Sequence, residues 1–168
     1  MKKDFSKIKL FAMDVDGTLT DGKIYIGNDG EVMKAFNAKD GLGIKLLIKK
    51  GIVPIIITGR RSKIVTRRCE EIGITVLYQG VRDKADILKN VIAKYDCTPE
   101  QTVYIGDDMN DLSAMQTAGI TFAPADCAAA LLPYVDFVLT QKSGDAPVRE
   151  AIDIILENRL TLSDYESI

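Results

Sequence analysis

"FAMDVDGTLTDG", residues 11–22, sets two carboxylates, Asp14 and Asp16, at the end of an apolar run and follows them at once with a glycine turn. Like charges this close repel unless a cation lies between them or a proton is shared. Either arrangement implies chemistry at a strand end. The run that leads into them, "KIKLFAMDV" (7–15), is the first of six apolar runs rich in β-branched residues. The others are "IVPIIIT" (52–58), "ITVLYQG" (74–80), "TVYIGD" (102–107), "ITFAPA" (120–125) and "DFVLT" (136–140). All six have strand character.

Between these runs lie amphipathic segments. Ile64, Val65, Cys69 and Ile72 form one apolar stripe over residues 62–72, and Ile87, Leu88, Val91, Ile92 and Tyr95 form another over 83–95. Helix starts fall at Ser62, at "TPEQ" from Thr98 and at Asp145, with Gly51, Gly73 and Gly119 as stops. Near-continuous apolar strands alternating with helices predict a parallel sheet covered on both faces, a doubly wound, Rossmann-like α/β fold. At 168 residues with 46% hydrophobic content, the chain is expected to form a single domain over 1–168.

One stretch breaks the alternation. In "GKIYIGNDGEVMKAF", residues 22–36, two short β-prone runs flank "NDG", the signature of a β-hairpin. A hairpin inserted after the first strand projects from the sheet and cannot bury both of its faces. Its apolar residues Ile24, Tyr25, Ile26, Val32, Met33 and Phe36 are therefore expected at a contact between subunits, the alternative being a hairpin folded back on its own domain.

Composition excludes several classes of function. Lys plus Arg number 22 against 24 Asp plus Glu, so no broad positive field invites nucleic acid or an anionic membrane. No stretch reads as a transmembrane helix or a signal peptide. Three scattered cysteines without metal spacing read as reduced thiols of a cytoplasmic protein. The chain has no histidine, which removes His-based triads and His-ligated zinc. Catalysis must run on carboxylates, lysine, arginine, hydroxyls and a hard metal.

In an open α/β sheet, ligands bind at the carboxyl ends of the strands. Four such ends carry reactive types: Asp14 and Asp16; Thr58-Gly59-Arg60-Arg61; Lys84, opening the helix after the third run; and Asp107-Asp108 with Asp111 a turn later. Asp107 and Asp108 taken alone would suit helix caps. Cations at the start of a helix oppose its dipole, so Arg60, Arg61 and Lys84 point to an anionic ligand. The acids suit Mg²⁺, a hard cation that takes carboxylate and carbonyl oxygens and commonly shares its shell with phosphate.

"DVDGTLT", Thr58, Lys84 and "GDDMND" resemble, in order and strand position, the four motifs of the haloacid dehalogenase-like phosphohydrolases. The resemblance implies that Asp14 is a nucleophile forming an aspartyl phosphate and Asp16 the acid that protonates the leaving alcohol and later activates water. It implies that Asp14, the backbone carbonyl of Asp16 and Asp107 hold Mg²⁺, with Asp108 and Asp111 as supporting acids. Thr58 would bond a phosphoryl oxygen, and Lys84 would offset its charge.

Only the hairpin and one helix fit between Asp16 and Thr58, so no cap domain is expected. "GKIYIGNDGEVMKAFNAKDGLGIKLL", "ITGRRSKIV" and "LYQGVRDK" are similar to the capless 3-deoxy-D-manno-octulosonate (KDO) 8-phosphate phosphatases of lipopolysaccharide precursor synthesis. That resemblance implies a phosphorylated sugar acid as substrate and a homotetramer whose 22–36 hairpins pack together and help close adjacent sites. Substrate contacts would come from Thr58, Gly59, Arg60, Lys63, Arg68 and Lys84. For Arg68, on an otherwise apolar stripe, a snorkelling surface arginine is the alternative.

The chain departs from relatives at "KSGDAPVRE" (142–150), where they generally carry "GGxGAxRE"; the segment and the tail "TLSDYESI" often line the site there. The tail reads equally as a disordered end. Alternative functions are a nonulosonate 9-phosphate phosphatase, a phosphatase-like module of sugar-acid cytidylyltransferases and a receiver domain. Receivers place the acid pair on the first strand and the phosphorylated Asp on the third, whereas here the third run ends in "YQG".

Overall fold

All six apolar runs become strands of one parallel sheet. The computed structural model describes residues 3–166. Its strands are β1 (Leu10–Met13), β2 (Tyr25–Gly27), β3 (Gly30–Met33), β4 (Val53–Thr58), β5 (Val76–Gln79), β6 (Thr102–Ile105), β7 (Ile120–Ala123) and β8 (Phe137–Val138). The helices are α1 (Ala38–Lys49), α2 (Lys63–Ile72), α3 (Lys84–Lys94), α4 (Leu112–Met115) and α5 (Pro147–Ile155). The sheet runs β5-β4-β1-β6-β7-β8, every pair parallel, while β2 and β3 form a separate antiparallel hairpin. The chain moves outward one way through β4 and β5, then returns to the other side of β1 for β6. That reversal puts the ends of β1 and β6 side by side.

Strand periodicity divides the core into two layers. Phe11, Met13, Ile56, Val103 and Ile105 face α1, α2 and α5, where Ile44, Leu47, Val65, Cys69, Val148 and Ile152 meet them. Leu10, Ala12, Ile55, Ile57 and Tyr104 face α3 and α4, against Leu88, Val91, Ala114 and Met115. Truncating any of the large members to Ala would cost about 2–5 kcal/mol through lost transfer energy and the cavity left behind.

Local signals set the helix ends. Ser62 caps α2, its hydroxyl accepting from the Val65 N–H, and Gly73 ends it in the left-handed region at φ +83°. Asp83 caps α3 through the Asp86 N–H. Two expected starts differ. "TPEQ" forms a capping box, but it opens only a single 3₁₀ turn, Pro99–Gln101, because the chain enters β6 at once. The last helix starts one residue later than Asp145, after Ala146, a non-glycine residue in the left-handed region at φ +68°. Ala146 has no side chain able to cap. Instead Oδ1 of the buried Asp40, on α1, accepts from the Arg149 N–H at 2.7 Å.

The hairpin is present, with Gly30 at φ +110° after its tip. Ile26, Val32 and Met33 are well exposed. Phe36 follows the folded-back alternative instead: it lies past the hairpin, packs on the core of the same chain and has the Arg68 guanidinium 5.7 Å above its ring. The tail also differs from a disordered end. Thr161 and Asp164 form a capping box, Asp164 pairs with Lys50 at 2.8 Å, and Lys49 donates to the Ser163 and Asp164 carbonyls. These bonds hold it at the C-terminal end of α1, across the sheet from the strand ends that carry the acids. Its last two residues, 167–168, lie outside the described ones.

Candidate active site

The centre forms where β1 and β6 end. The Asp14 N–H continues the ladder to the Ile105 carbonyl at 3.1 Å, and the Asp14 side chain is 5% exposed. Its Oδ2 lies 3.0 Å from the Lys84 ammonium, while its Oδ1 is buried and has no hydrogen-bond partner among the described residues. Lys84, itself buried at the first turn of α3, also bonds Asp111 Oδ1 at 2.7 Å. Tyr104, whose ring faces the α3 layer, donates its hydroxyl to that same oxygen at 2.7 Å. Asp111 Oδ2 accepts from the Asp107 N–H at 3.2 Å. Asp111 is thus occupied with holding its neighbours.

Carboxylate oxygens of Asp14, Asp107 and Asp111 lie within 4.8 Å of one another, as a metal shell requires. Burial raises Asp14 to about 6, reinforced by Asp111 and opposed by Lys84. Burial also raises Asp107 to about 7, with Asp111, Asp14 and Asp108 adding repulsion. Burial works against the charge on Lys84, but Asp14 and Asp111 outweigh it and hold the ammonium above the ordinary lysine value. One lysine does not neutralise three acids. An all-oxygen donor set with an unpartnered buried oxygen fits a hard divalent cation.

Two glycines make room for this crowding. A side chain on Gly17, at φ +90°, would overlap the Asp107 carboxylate, and one on Gly106 would overlap that of Asp111. Thr18 reaches Asp107 Oδ1 at 3.5 Å. Ser143, in the divergent 142–150 segment, donates to the Gly17 carbonyl and bonds Asp126 at 2.9 Å, so it ties that segment to the turn after β1.

The acid pair does not share one cation. Asp16 is paired with Lys34 and has Arg60 Nε 3.9 Å from its other oxygen. The other expected residues are spread more widely. Thr58 is buried at the end of β4, Gly59 and the half-exposed Arg60 follow at the rim, and Lys63 is exposed at the start of α2. Arg68 is not brought to Asp14, Asp16 or Asp107: its partners among the described residues are Glu71 at 3.0 Å, the Asn37 carbonyl at 3.4 Å and the Phe36 ring. Asp108 is exposed and caps the Met109–Asp111 turn through the Met109 N–H at 2.7 Å. Lys34 and Tyr104 were not among the residues marked from sequence. The one lies in the hairpin segment expected at a subunit contact, the other inside a core strand.

Comparison with known proteins agrees with this geometry. A family model described as haloacid dehalogenase-like hydrolase matches residues 73–152. The 3-deoxy-D-manno-octulosonate 8-phosphate phosphatase of Yersinia pestis is 46% identical over 151 residues, 90% of this chain and 81% of that protein. The crystal structure of the Y. pestis phosphatase superposes with a TM-score of 0.90 at 44% identity, covering 97% of this chain and 86% of the other. The Moraxella catarrhalis phosphatase, solved with magnesium ion, phosphate ion and KDO, gives 0.88 at 40% identity, covering 91% and 88%. Strand order, clustered acids and sequence similarity over nine-tenths of the chain agree: the chain belongs to the haloacid dehalogenase-like hydrolases, within the family of the 3-deoxy-D-manno-octulosonate 8-phosphate phosphatases.

Proposed function

We propose that this protein is a Mg²⁺-dependent phosphatase that releases phosphate from 3-deoxy-D-manno-octulosonate 8-phosphate in lipopolysaccharide precursor synthesis. The observation that carries the reading is Asp14, with one oxygen on Lys84 and the other buried and unpartnered beside Asp107. Asp14 is the nucleophile: its carboxylate displaces the alkoxide from phosphorus and becomes an aspartyl phosphate. Asp16 gives its proton to the departing oxygen, then takes one from the water that attacks the phosphoenzyme. Thr58 and Lys84 meet the phosphoryl oxygens, where fixed donors do most of the work of phosphoryl transfer. Asp14, the Asp16 backbone carbonyl and Asp107 would hold Mg²⁺, which supplies further neutralisation of phosphoryl charge. Asp111 keeps Lys84, Tyr104 and the Asp107 backbone in place, and Asp108 shapes the turn that carries it.

We assign Gly59, Arg60 and Lys63, exposed after β4, to the sugar-acid carboxylate and hydroxyls; Arg60, 3.9 Å from Asp16, supports this. Arg60 at the rim favours the octulosonate over a nonulosonate. We assign the exposed Ile26, Val32 and Met33 of the hairpin to a homotetramer interface, since apolar patches of this kind mark contact sites. The single domain 1–168 works in the cytoplasm, a compartment in keeping with its three free cysteines. Among the described residues, no helix is long and apolar enough to cross a membrane.

Phosphate release from octulosonate 8-phosphate, nonulosonate 9-phosphate and simple sugar phosphates, with and without Mg²⁺, tests this reading. A preference for the octulosonate of at least tenfold in kcat/KM, lost on chelation, is expected. Rates within a few-fold across the panel would leave only an unspecific phosphatase.

A further inference from the structure

Lys34 leaves the hairpin just beyond β3, yet its side chain is only 2% exposed. Lysine is almost never buried so fully unless it is paired. Its ammonium bonds Asp16 Oδ1 and lies 3.0 Å from Glu31 Oε1. The other oxygen of Glu31 accepts from the Ser62 hydroxyl, and the Ser62 N–H donates to Gln79 Oε1 at 2.7 Å. Burial works against the charge on Glu31, but its bonds to Ser62 and Lys34 outweigh that and hold the carboxyl below the ordinary value. The result is one connected set of bonds, Asp16 to Lys34 to Glu31 to Ser62. It joins the turn after β1 to the hairpin and to the N-terminus of α2.

Assembly does not require this. A hairpin that served only as a contact surface would have no use for a buried ammonium aimed back at the acid pair of its own subunit. Nor does substrate charge alone explain it, because the ammonium already has two carboxylates, one from each side. We propose that Lys34, braced by Glu31 and Ser62, is a positioning residue for Asp16. It occupies Oδ1 and so leaves Oδ2, on the Arg60 side, as the oxygen that delivers the proton to the leaving group. A side chain must be held to within a fraction of an ångström for such a transfer, and buried ion pairs supply that constraint. The hairpin then contributes to catalysis within each subunit. The inference rests on the role of Asp16 given under Proposed function.

The test uses the full-length protein with Mg²⁺, comparing Lys34→Met, Lys34→Arg, Glu31→Gln and Asp16→Ala with the parent. First-turnover rates are measured on octulosonate 8-phosphate, on ribose 5-phosphate, which has no carboxylate, and on p-nitrophenyl phosphate, whose phenolate leaves without a proton. Lys34→Met is expected to slow both sugar phosphates on the order of 10–100-fold, within the range of acid catalysis. KM should stay within a few-fold, p-nitrophenol release in the first turnover should hardly change, and the oligomeric state should be that of the parent. Lys34→Arg should restore part of the rate, and Glu31→Gln should repeat the pattern more weakly, which carries the test if Lys34→Met does not fold. A raised KM for the octulosonate alone, an equal loss on all three substrates, or a loss that accompanies dissociation of the oligomer would overturn the proposal. A parent without activity, or an Asp16→Ala variant as fast as the parent on the sugar phosphates, would instead contradict the reading on which it rests.

Discussion

The carboxylate of Asp107 fills the space that a side chain on Gly17 would need. The turn after Asp14 and the acid at the end of β6 therefore fit only while residue 17 has no Cβ. Its φ of +90° adds a second reason, since L side chains are strained there. Gly17→Ala should leave a folded protein with a lower melting temperature and at least tenfold weaker Mg²⁺ binding. Calorimetric titration checks this, and unchanged affinity would show that Asp107 can hold the cation from elsewhere.

Lys84 lies between two buried acids, Asp14 and Asp111, that pair with no other cation among the described residues. Breaking a buried ion pair from one side typically costs about 3–5 kcal/mol, because the remaining charge stays dehydrated. Lys84→Met should lose stability of that order in denaturant unfolding without metal. Mg²⁺ should recover part of it, because the ion supplies positive charge to the same carboxylates, while turnover stays abolished. Equal losses with and without Mg²⁺ would separate Lys84 from the metal site.

Ala146 occupies the left-handed region at the start of α5, where a non-glycine residue costs roughly 1–2 kcal/mol. Glycine would remove that strain but adds unfolded-state entropy of about half that size. Ala146→Gly should therefore stabilise the protein by about 0.5–1 kcal/mol and raise its melting temperature by a few degrees. A fall in melting temperature would mean that the backbone there is not strained.

Asp40 gives the fold a pH dependence of its own. Burial pushes its carboxyl up to about 7, although the Arg149 N–H and the charges of Arg68 and Arg149 pull it down. The unfolded chain ionises this group near 3.8, so between those values folding takes up a proton. The stabilisation is complete below about 4 and lost as pH rises through about 7. At about 1.4 kcal/mol per pKa unit, a few kcal/mol are involved. Asp40→Asn, which keeps an oxygen for the Arg149 N–H, should flatten urea-unfolding stability between pH 4 and 7 and exceed the parent above pH 7. An unaltered slope would remove Asp40 from the account.

The sheet was legible because parallel strands buried on both faces must be apolar along their length, and "FAMDV", "PIIIT" and "TVYI" are. The cluster was legible because Asp14, Asp107 and Asp111 follow β1 and β6, the strands at the reversal of order, and because Lys84, at the start of the helix after β5, is a cation where the helix dipole disfavours one. Lys34 was not. Alternation along β3 exposes Val32 and predicts the same for Lys34, but the strand stops at Met33 and the chain then turns the lysine inward. Tyr104 was equally hidden, since an apolar run does not reveal that one ring carries its hydroxyl to a buried acid. Ala146 was missed because no side-chain pattern announces a helix whose start is capped by Asp40 from another helix.

The central claim is covalent: Asp14 carries the phosphoryl group between the two half-reactions. Acid quench of the Asp16→Ala variant during a single turnover with Mg²⁺, followed by peptide mass spectrometry, tests it most directly. One added phosphoryl group on the peptide containing Asp14, located to Asp14 by fragmentation and absent from an Asp14→Asn protein, is the predicted result. Phosphate release from Asp14→Asn at the parent's rate, or a phosphoryl group on any other residue, would contradict the account.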